Sequence, residues 1–464
     1  MTMTEPGTTR GTIVGAVDSE VLLFTTGRDP ELDLALVDAD CIGTAAHVTM
    51  LSRMPAGQRP ITVVECGRII RALAGIMRAA GAGRFVITPR DQDVHMAVER
   101  ELTRCLGQTG KKVHTGRSRN DQVAVDLRLY ARGQILGAIA ETARLAGILV
   151  DIARRNRKVP MVGRTHLQPA MPGSVGLWAS AYAESLLDDV DMLRNAYDVN
   201  NFSPLGAAAG YGVPLPIDRE LTARLLGFTA PCHNVMHAIN SRGKCESIIL
   251  FAMGQAMLSL SRFSTDLILF SMPEFGYFSL PQGFCTGSSI MPQKRNPDVL
   301  ELVRARAATV LSNAFTTAEI VRALPGGYNR DLQETKGLLM DGIAQTRASL
   351  RVLARLVRGV KVNRSALLAG FTPEVFATDR ALELVAGGMP FRDAYNLVKK
   401  HPAAACDPRQ ALSLKRHLGA PGGLDLAMLR RRVQAAAAFA SGERKRYCAA
   451  VSKLLRITYT EDGG

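Results

Sequence analysis

Apolar residues recur at helical spacing through most of this chain of 464 residues. Leu145, Ile148, Leu149 and Ile152, for example, follow the i, i+3, i+4, i+7 pattern of an amphipathic helix. Similar patterns predict further helices, which we place at residues 91–106, 123–132, 173–199, 217–227, 240–271, 297–322 and 334–358. Segments rich in Gly, Pro or Asn separate them and are predicted as loops, at residues 107–119, 159–172, 201–216, 272–296 and 323–333.

The two ends of the chain differ from this central part. Residues 1–23 begin with a Thr- and Gly-rich stretch and are predicted to form a loose arm. Between residues 29 and 80 the pattern indicates shorter helices, with breaks near 55–57 and 81–83. The segment after Lys400 is rich in Ala and Arg, and it is predicted to form a small helical end domain.

The composition supports an all-α fold. Apolar residues make up 47% of the chain and aromatic residues only 5%, which favours helix-on-helix packing over sheet-rich architectures. The length suggests about three domains. We place them at residues 1–116, 117–370 and 371–464, with the long helices in the central domain.

Cysteine usage and hydropathy indicate a soluble cytoplasmic protein. The 8 cysteines include no Cys-x-x-Cys pair, so we expect buried, reduced thiols. No apolar leader with a cleavage site opens the chain, and we therefore expect no secretion. The most apolar helix, at residues 248–270, contains Arg262 and Asp266, which a membrane span rarely tolerates.

The formal net charge of +15 raises the question of a nucleic-acid partner. The densest basic clusters, at residues 430–432 and 444–446, carry no interleaved aromatic residues for stacking on bases. We therefore interpret the charge as solvated helix faces, or as a field that attracts an anionic metabolite.

Residues 286–297 form the most informative stretch, a Gly-, Ser- and Pro-rich loop between two apolar segments. Asn296 suits an N-cap and Pro297 the first helical position, so a helix is predicted to begin there. Its amide groups and positive dipole end would offer an anion site near Asn296. Glu301 follows about one turn later, and a solvated surface glutamate is its plainest alternative reading.

Three other polar clusters lie in loops or at predicted helix starts. Residues 115–122 contain arginines suited to carboxylates, although Asn120 or Asp121 could simply cap the helix. His166, in the run Thr165 to Gln168, could exchange protons near neutral pH or be a structural histidine. Residues 328–336 form the third cluster. The sequence lacks zinc-protease, dinucleotide and phosphate-loop motifs, and we expect no cofactor and no metal.

Together these runs resemble the argininosuccinate lyase and delta-crystallin family of the fumarase/aspartase superfamily. The matching segments follow the family order over roughly residues 24–398. They are HTGRSRNDQ at 114–122, THLQ at 165–168, TGSSIMPQKRNPD at 286–298 and YNRDLQETK at 328–336, together with the segments at 93–100, 377–379 and 388–392. The resemblance implies a homotetramer with a central long-helix bundle and active sites assembled from three subunits. It also implies β-elimination of argininosuccinate to arginine and fumarate.

The resemblance also implies roles for individual residues. Ser288 would be the general base, Lys294 would stabilise its alkoxide and the aci-carboxylate, and His166 would be the general acid. Glu301 would orient His166 and keep its ring protonated. The remaining family positions would bind the substrate: Arg119, Asn120, Thr165, Asn296, Tyr328, Gln333 and Lys336.

Three departures from the family pattern concern the amine end of the substrate. Gly27 stands where the family has a substrate-binding Ser, Ala207 lies in an altered Gly-Ser-Gly-Ala loop, and Gly243 replaces an Asp. These changes keep two alternatives open. One is a fumarate-releasing lyase acting on a different N-succinyl amine, and the other is a catalytically idle, crystallin-like structural protein.

Overall fold

The computed structural model describes residues 17–401 and 406–461, and within them the protein is mostly helical. The α-helices are α1 Ser19–Thr26, α2 Asp29–Leu32, α3 Val37–Leu51, α4 Val63–Gly81, α5 Val94–Leu106, α6 Arg119–Arg155, α7 Val175–Asn200, α8 Arg219–Leu225, α9 Val235–Asn240, α10 Lys244–Ser271, α11 Asp298–Arg322, α12 Glu334–Arg358, α13 Arg364–Ala369, α14 Ala377–Ala386, α15 Phe391–Lys400, α16 Pro408–Leu414 and α17 Leu426–Leu455. The predicted all-α fold is confirmed.

Short strands and 3₁₀ turns complete the secondary structure. The strands are β1 Pro160–Thr165, β2 Gln168–Ser174, β3 Phe202–Ser203, β4 Ala230–Pro231, β5 Phe278–Ser279 and β6 Lys361–Val362. β1 pairs antiparallel with β2, β3 pairs parallel with β4, and β5 pairs antiparallel with β6. The 3₁₀ turns lie at Asp33–Leu36, Gly107–Lys112, Gln282–Phe284, Arg330–Gln333 and Pro373–Phe376.

The long helices α6, α7, α10, α11 and α12 pack side by side around one apolar core. Helix α6 begins at a capping box. The Ser118 hydroxyl accepts a backbone N–H of the first helical turn, and the Asp121 carboxylate accepts the backbone N–H of Ser118. The helix continues for 37 residues and ends at Arg155, with Asn156 as its C-cap. Its central residues are almost all buried, because neighbouring helices cover it on several sides.

Two helical segments, Asp29–Leu51 and Lys244–Ser271, are long and apolar enough to cross a membrane. The fold buries 83% of the most apolar stretch of the first segment and 56% of that of the second. Asp266 in α10 accepts hydrogen bonds from the Trp178 indole N–H at 2.9 Å and the Tyr182 hydroxyl at 2.7 Å. The charge of Asp266 is therefore satisfied inside the bundle.

The basic clusters of helix α17 are joined to acidic residues. Arg430 pairs with Asp151 of α6, and Arg432 donates to Asp188 and Asp191 of α7 at 2.9 and 3.0 Å. Further along, Arg444 lies 3.6 Å from Glu461, and Arg446 lies 3.0 Å from Glu443. Arg430 and Arg432 thus join α17 to α6 and α7, whereas the other two pairs are local. The pairing agrees with the interpretation of the charge as helix faces.

Several predicted elements are corrected by the structure. Residues 159–172 are not a plain loop, since most of them belong to the β1–β2 hairpin. The predicted helix 123–132 is only part of α6. The predicted helix 240–271 is interrupted at Gly243, whose φ of +73° is left-handed, and α10 starts after it. Of the predicted N-terminal arm, residues 19–23 lie in α1, and residues 1–16 lie outside the described part.

The prediction of buried thiols is only partly correct. Four of the eight cysteines are buried: Cys41, Cys66, Cys232 and Cys245. Cys105 and Cys406 are exposed, and Cys285 and Cys448 are half-buried. A pattern of apolar neighbours does not reveal which face of a helix a single cysteine occupies, so sequence reasoning overestimated their burial.

Candidate active site

A cavity of about 170 Å³ brings together five of the predicted substrate-binding residues. These residues are Arg119, Asn120, Tyr328, Gln333 and Lys336. Arg119 and Asn120 open helix α6. Tyr328 lies in the loop before α12, Gln333 in the 3₁₀ turn, and Lys336 in the first turn of α12 itself. We call this the polar cavity, because charged and amide groups form much of its wall.

Lys336 is fully buried in the polar cavity and is held by two carboxylates. Its Nζ lies 2.5 Å from Asp33 Oδ1 and 2.9 Å from Asp29 Oδ1. Asp33 also accepts the backbone N–H of Val94 at 3.1 Å. Burial raises the pKa of Asp29, and the nearby Lys336 ammonium acts in the opposite direction. The lysine and its two carboxylates therefore fix one another, and neither aspartate was predicted as a site residue.

Arg119 is held by a second acidic group at the start of helix α5. It donates to Asp93, whose carboxylate also caps α5 by accepting the Met96 N–H at 3.0 Å. Burial by itself raises the pKa of Asp93, but the positive charges of His95 and Arg119 outweigh burial and lower it. Asp93 therefore stays ionised and orients the Arg119 guanidinium toward the cavity.

Behind Asp93 lies a buried triad of His95, Asp40 and Asp126. The His95 Nδ1–H donates to Asp40 Oδ1 at 2.8 Å and lies 3.5 Å from Asp126 Oδ2. Burial lowers the pKa of His95, but Asp93, Asp40 and Asp126 together raise it to about 9. These three side chains could serve as metal ligands. The direct 2.8 Å contact instead favours a protonated imidazole between two carboxyl groups.

The predicted acid His166 lies elsewhere, at the tip of the β1–β2 hairpin. His166 and Leu167 form its two-residue turn with φ of +53° and +63°, a conformation that usually requires Gly or Asn. Both side chains and the adjacent Thr165 are exposed. The positive φ at two non-glycine residues is strain of the kind that concentrates at functional sites.

Ser288, Lys294 and Asn296 occupy a third place, the loop of residues 286–296. Its two ends are joined by reciprocal backbone hydrogen bonds between Thr286 and Asn296, at 3.1 and 2.8 Å. The Ser288 Oγ accepts the backbone N–H groups of Ile290 and Met291 at 3.3 and 3.1 Å. Lys294 is exposed, as is Glu301 one turn into α11.

The prediction that Asn296 caps helix α11 is wrong. The helix begins at Asp298 after Pro297, and no side chain caps it. The Asn296 amide instead donates to the Gly287 carbonyl at 3.3 Å, because this residue closes the neck of the loop. Local N-cap preference was overridden here by pairing between residues 10 positions apart.

Among the described residues, no hydrogen bond or ion pair connects the polar cavity, the hairpin tip and the loop of residues 286–296. Five of the seven predicted binding residues meet in one chain. Thr165 and Asn296 do not join them, nor do the predicted catalytic residues His166, Ser288 and Lys294. Sequence reasoning missed Asp29, Asp33 and Asp93. The sequence feature that could have revealed them is a carboxylate just before or inside an apolar helical segment. Such a charge is costly to bury unless it is paired, so a partner was to be expected.

Two of the three departures from the family pattern lie beside this site. Gly27 ends helix α1 with φ of +52°, and the carbonyl of Thr25 beside it accepts hydrogen bonds from Gln333 and Arg330 at 3.0 and 2.6 Å. At Gly243 a Cβ atom would lie 2.3 Å from Val321, so a larger residue would not fit this backbone. The loop containing Ala207 is tied to α6 instead, since the Asp121 carboxylate accepts the amide groups on both sides of it.

The fold is shared with solved lyases. An EDDS lyase in complex with formate superposes with a TM-score of 0.77 at 23% identity, over 96% of this chain and 97% of that one. The fumarate lyase:delta crystallin from Brucella melitensis gives a TM-score of 0.67 at 20% identity, over 90% and 95%. At these identities the similarity establishes a shared helical fold.

Sequence comparison defines the family more narrowly. A family model described as lyase matches residues 42–312. The chain is 45% identical over 422 residues to the argininosuccinate lyase of Sorangium cellulosum, covering 90% of this chain and 97% of that protein. It is 40% identical over 382 residues to that of Thermotoga neapolitana, covering 82% and 95%. The chain therefore belongs to the argininosuccinate lyase family, as its motifs predicted.

Proposed function

We propose that this protein is an argininosuccinate lyase, which cleaves argininosuccinate by β-elimination into arginine and fumarate. The polar cavity is the observation that carries this proposal. It assembles Arg119, Asn120, Tyr328, Gln333 and Lys336 from two distant segments into one binding surface. The 45% identity to an argininosuccinate lyase over nearly the whole chain supports the same activity.

The charges of the polar cavity suit a substrate that carries both carboxylates and cationic nitrogen groups. Arg119 and Lys336 supply positive charge for carboxylates, with Arg119 oriented by Asp93. Asp29 and Asp33 supply negative charge beside Lys336. Because these ion pairs hold the side chains before substrate arrives, little ordering is needed on binding.

Ser288 acts as the general base that removes the proton beside a substrate carboxylate. A serine hydroxyl is a weak base, so its alkoxide must be stabilised. The two backbone N–H groups that donate to Ser288 Oγ supply part of this stabilisation. Lys294, in the same loop, adds positive charge for the alkoxide and then for the aci-carboxylate that forms on the substrate.

His166 acts as the general acid that protonates the leaving guanidine nitrogen. Its exposed position on the hairpin tip leaves the ring free to reach a substrate bound by another surface. Glu301 orients the ring and keeps it protonated. Thr165 and Asn296 contribute further polar contacts to the substrate. The reaction needs no cofactor, because the proton transfers involve side chains alone.

The active protein is a cytoplasmic homotetramer in which each active site combines residues from different subunits. Support comes from the separation, within one chain, of the polar cavity, the hairpin tip and the loop of residues 286–296. Apolar side chains on the long helices are also exposed, including Leu258 of α10 and Leu302 and Phe315 of α11. Packing against other copies would bury them and bring the three groups together.

A second candidate is the elimination of fumarate from a different N-succinyl amine. The observation in its favour is the changed surface around Gly27 and Gly243. Glycine at both positions provides no side-chain oxygen for the amine end, and the backbone at Gly243 leaves no space for one. The elimination residues would be the same in both cases, so only the amine product differs.

Incubating the purified protein with argininosuccinate, while fumarate is followed by ultraviolet absorbance and arginine is assayed in parallel, tests the proposal. We expect the two products in equal amounts. A folded protein that forms neither product would contradict the assignment. In that case other N-succinyl amines become the substrates to screen, with fumarate as the readout.

Subunit mixing tests the shared active site. Ser288→Ala and His166→Asn variants, each inactive alone, are denatured together and refolded. If the two residues of one site come from different subunits, random mixing leaves roughly a quarter of the sites intact and activity returns. No recovery in mixed tetramers, confirmed by separable tags on the two variants, would place both residues in the same subunit.

A further inference from the structure

A second cleft lies at the end of the helix bundle, between the carboxyl ends of α6 and α12. Helices α7 and α10 and the β5–β6 pair complete its wall, and its volume is about 420 Å³. None of its lining residues lines the polar cavity. Small-molecule sites typically occupy about 300–1,000 Å³, so the cleft is large enough for a ligand. We call it the tryptophan cleft.

The floor of the tryptophan cleft is aromatic. The Trp178 ring stacks on Phe278 with centroids 4.9 Å apart and on Phe263 with centroids 5.7 Å apart. Its indole N–H is already bonded to Asp266, so the side chain has a fixed orientation. Leu149 and other aliphatic side chains extend the apolar surface. A flat apolar group could therefore lie against a rigid wall.

The rim of the cleft is positively charged. Arg155, Arg358, Lys361 and Arg364 line it, and all four are exposed. Among the described residues none of the four forms an ion pair with a carboxylate, although many other basic residues of the chain do. The rim therefore presents unneutralised positive charge beside an apolar floor.

Favourable interactions with helix dipoles explain the positions of only some of these four cations. Arg155 and Arg358 lie in the last turns of α6 and α12, where cations are favourable in any protein. Lys361 lies in strand β6, outside a helix. Arg364 is the first residue of α13, the end at which a positive charge is disfavoured. Two of the four cations therefore need another explanation, and an anionic ligand provides one.

We propose that the tryptophan cleft binds a small organic anion whose aromatic or alkyl body lies on Trp178 and whose carboxylate, sulfonate or phosphate pairs with the rim. Apolar contact supplies affinity, and the cations select a negative charge over a neutral analogue. This site is separate from the proposed active site, and its occupant need not be a substrate.

Trp178 is the only tryptophan in the chain, so it reports directly on the cleft. The probe is anilinonaphthalenesulfonate, which accepts energy from a nearby tryptophan when bound. Phenylnaphthylamine has the same ring system without the sulfonate and is the matched neutral control. We expect saturable energy transfer from Trp178 to the sulfonate, with affinity at least about ten-fold above that of the neutral dye. Equal affinity for the two dyes, or no energy transfer, would overturn the proposal.

Two double variants locate the charge requirement. Arg358→Gln with Lys361→Gln removes two rim cations and should weaken binding of the sulfonate about ten-fold. Arg68→Gln with Arg71→Gln removes the same charge from exposed positions of α4 and should leave binding within about two-fold. Equal weakening by both pairs would show a general charge effect. Competitive displacement of the probe by argininosuccinate would also contradict the proposal that the cleft is separate from the active site.

Discussion

The polar cavity and the loop of residues 286–296 carry the proposed chemistry in opposite ways. In the polar cavity, Lys336 is buried and held by Asp29 and Asp33 on packed helices. In the loop, Lys294 is exposed, and Ser288 makes hydrogen bonds only with the backbone of its own turn. The hairpin tip with His166 resembles the loop in this respect.

This difference separates two requirements of a lyase. Groups that recognise the substrate gain from rigidity, because a fixed site loses little entropy on binding. Groups that transfer protons must approach a substrate that has already entered, and loops or neighbouring subunits allow this. Under the proposed function, the single chain supplies a completed recognition surface and two catalytic parts that meet it only in the proposed tetramer. The following substitutions test that contrast, from the largest expected effect to the smallest.

Ser288→Ala should lower kcat by about 10³-fold or more, because the proposed general base is lost. The free energy of unfolding should stay within about 0.5 kcal/mol of wild type, since the hydroxyl contacts only exposed backbone. Steady-state fumarate release and denaturant unfolding measure the two effects. Ser289→Ala, one residue along the same exposed loop, is the control and should keep most of the activity.

Lys336→Met should destabilise the protein by about 3–5 kcal/mol, because Asp29 and Asp33 lose their buried counter-charge. Lys294→Met should leave the free energy of unfolding nearly unchanged and lower only activity. Chemical denaturation of the two variants side by side makes the comparison. If the two substitutions lower the free energy of unfolding by the same amount, the distinction between a packed recognition surface and an exposed catalytic loop is wrong.

His95→Gln should make the protein less stable by roughly 3 kcal/mol at slightly acidic pH, since the folded pKa is about 9 against an ordinary value of 6.5. A raised pKa stabilises the fold fully below about pH 6.5, and this contribution disappears as the pH rises through about 9. The gap between wild type and variant in denaturant unfolding should therefore narrow toward alkaline pH. A gap of constant size would show that His95 acts by packing rather than by its proton.

Leu167→Gly should stabilise the hairpin slightly, by about 0.5 kcal/mol, because glycine accepts the left-handed φ of +63° that leucine tolerates poorly. Thermal unfolding should show a small upward shift. Activity should fall moderately if the leucine side chain fixes the position of His166. A clear loss of stability would mean that Leu167 makes contacts on the hairpin which outweigh its backbone strain.

The sequence was most informative where the signal is local. Apolar spacing along α7, α11 and α12 placed these helices to within two residues at each end, and polar clusters at helix starts identified Arg119 and Lys336. The β1–β2 hairpin was missed because its pairing depends on residues that face each other across the turn. The proposed roles of the site residues and the predicted domain limits stay predictions.

The amino-acid sequence by itself determined the family, the long helices and the identity of the residues that meet in the polar cavity, because periodicity and motif order are properties of the chain. Only the tertiary structure decided that Asp29, Asp33 and Asp93 hold the cavity's cations, that Asn296 closes a loop instead of capping a helix, and that Trp178 forms the floor of a basic cleft. Each of these depends on contacts between segments far apart in sequence. Burial and charge at such contacts arise only after the helices have packed.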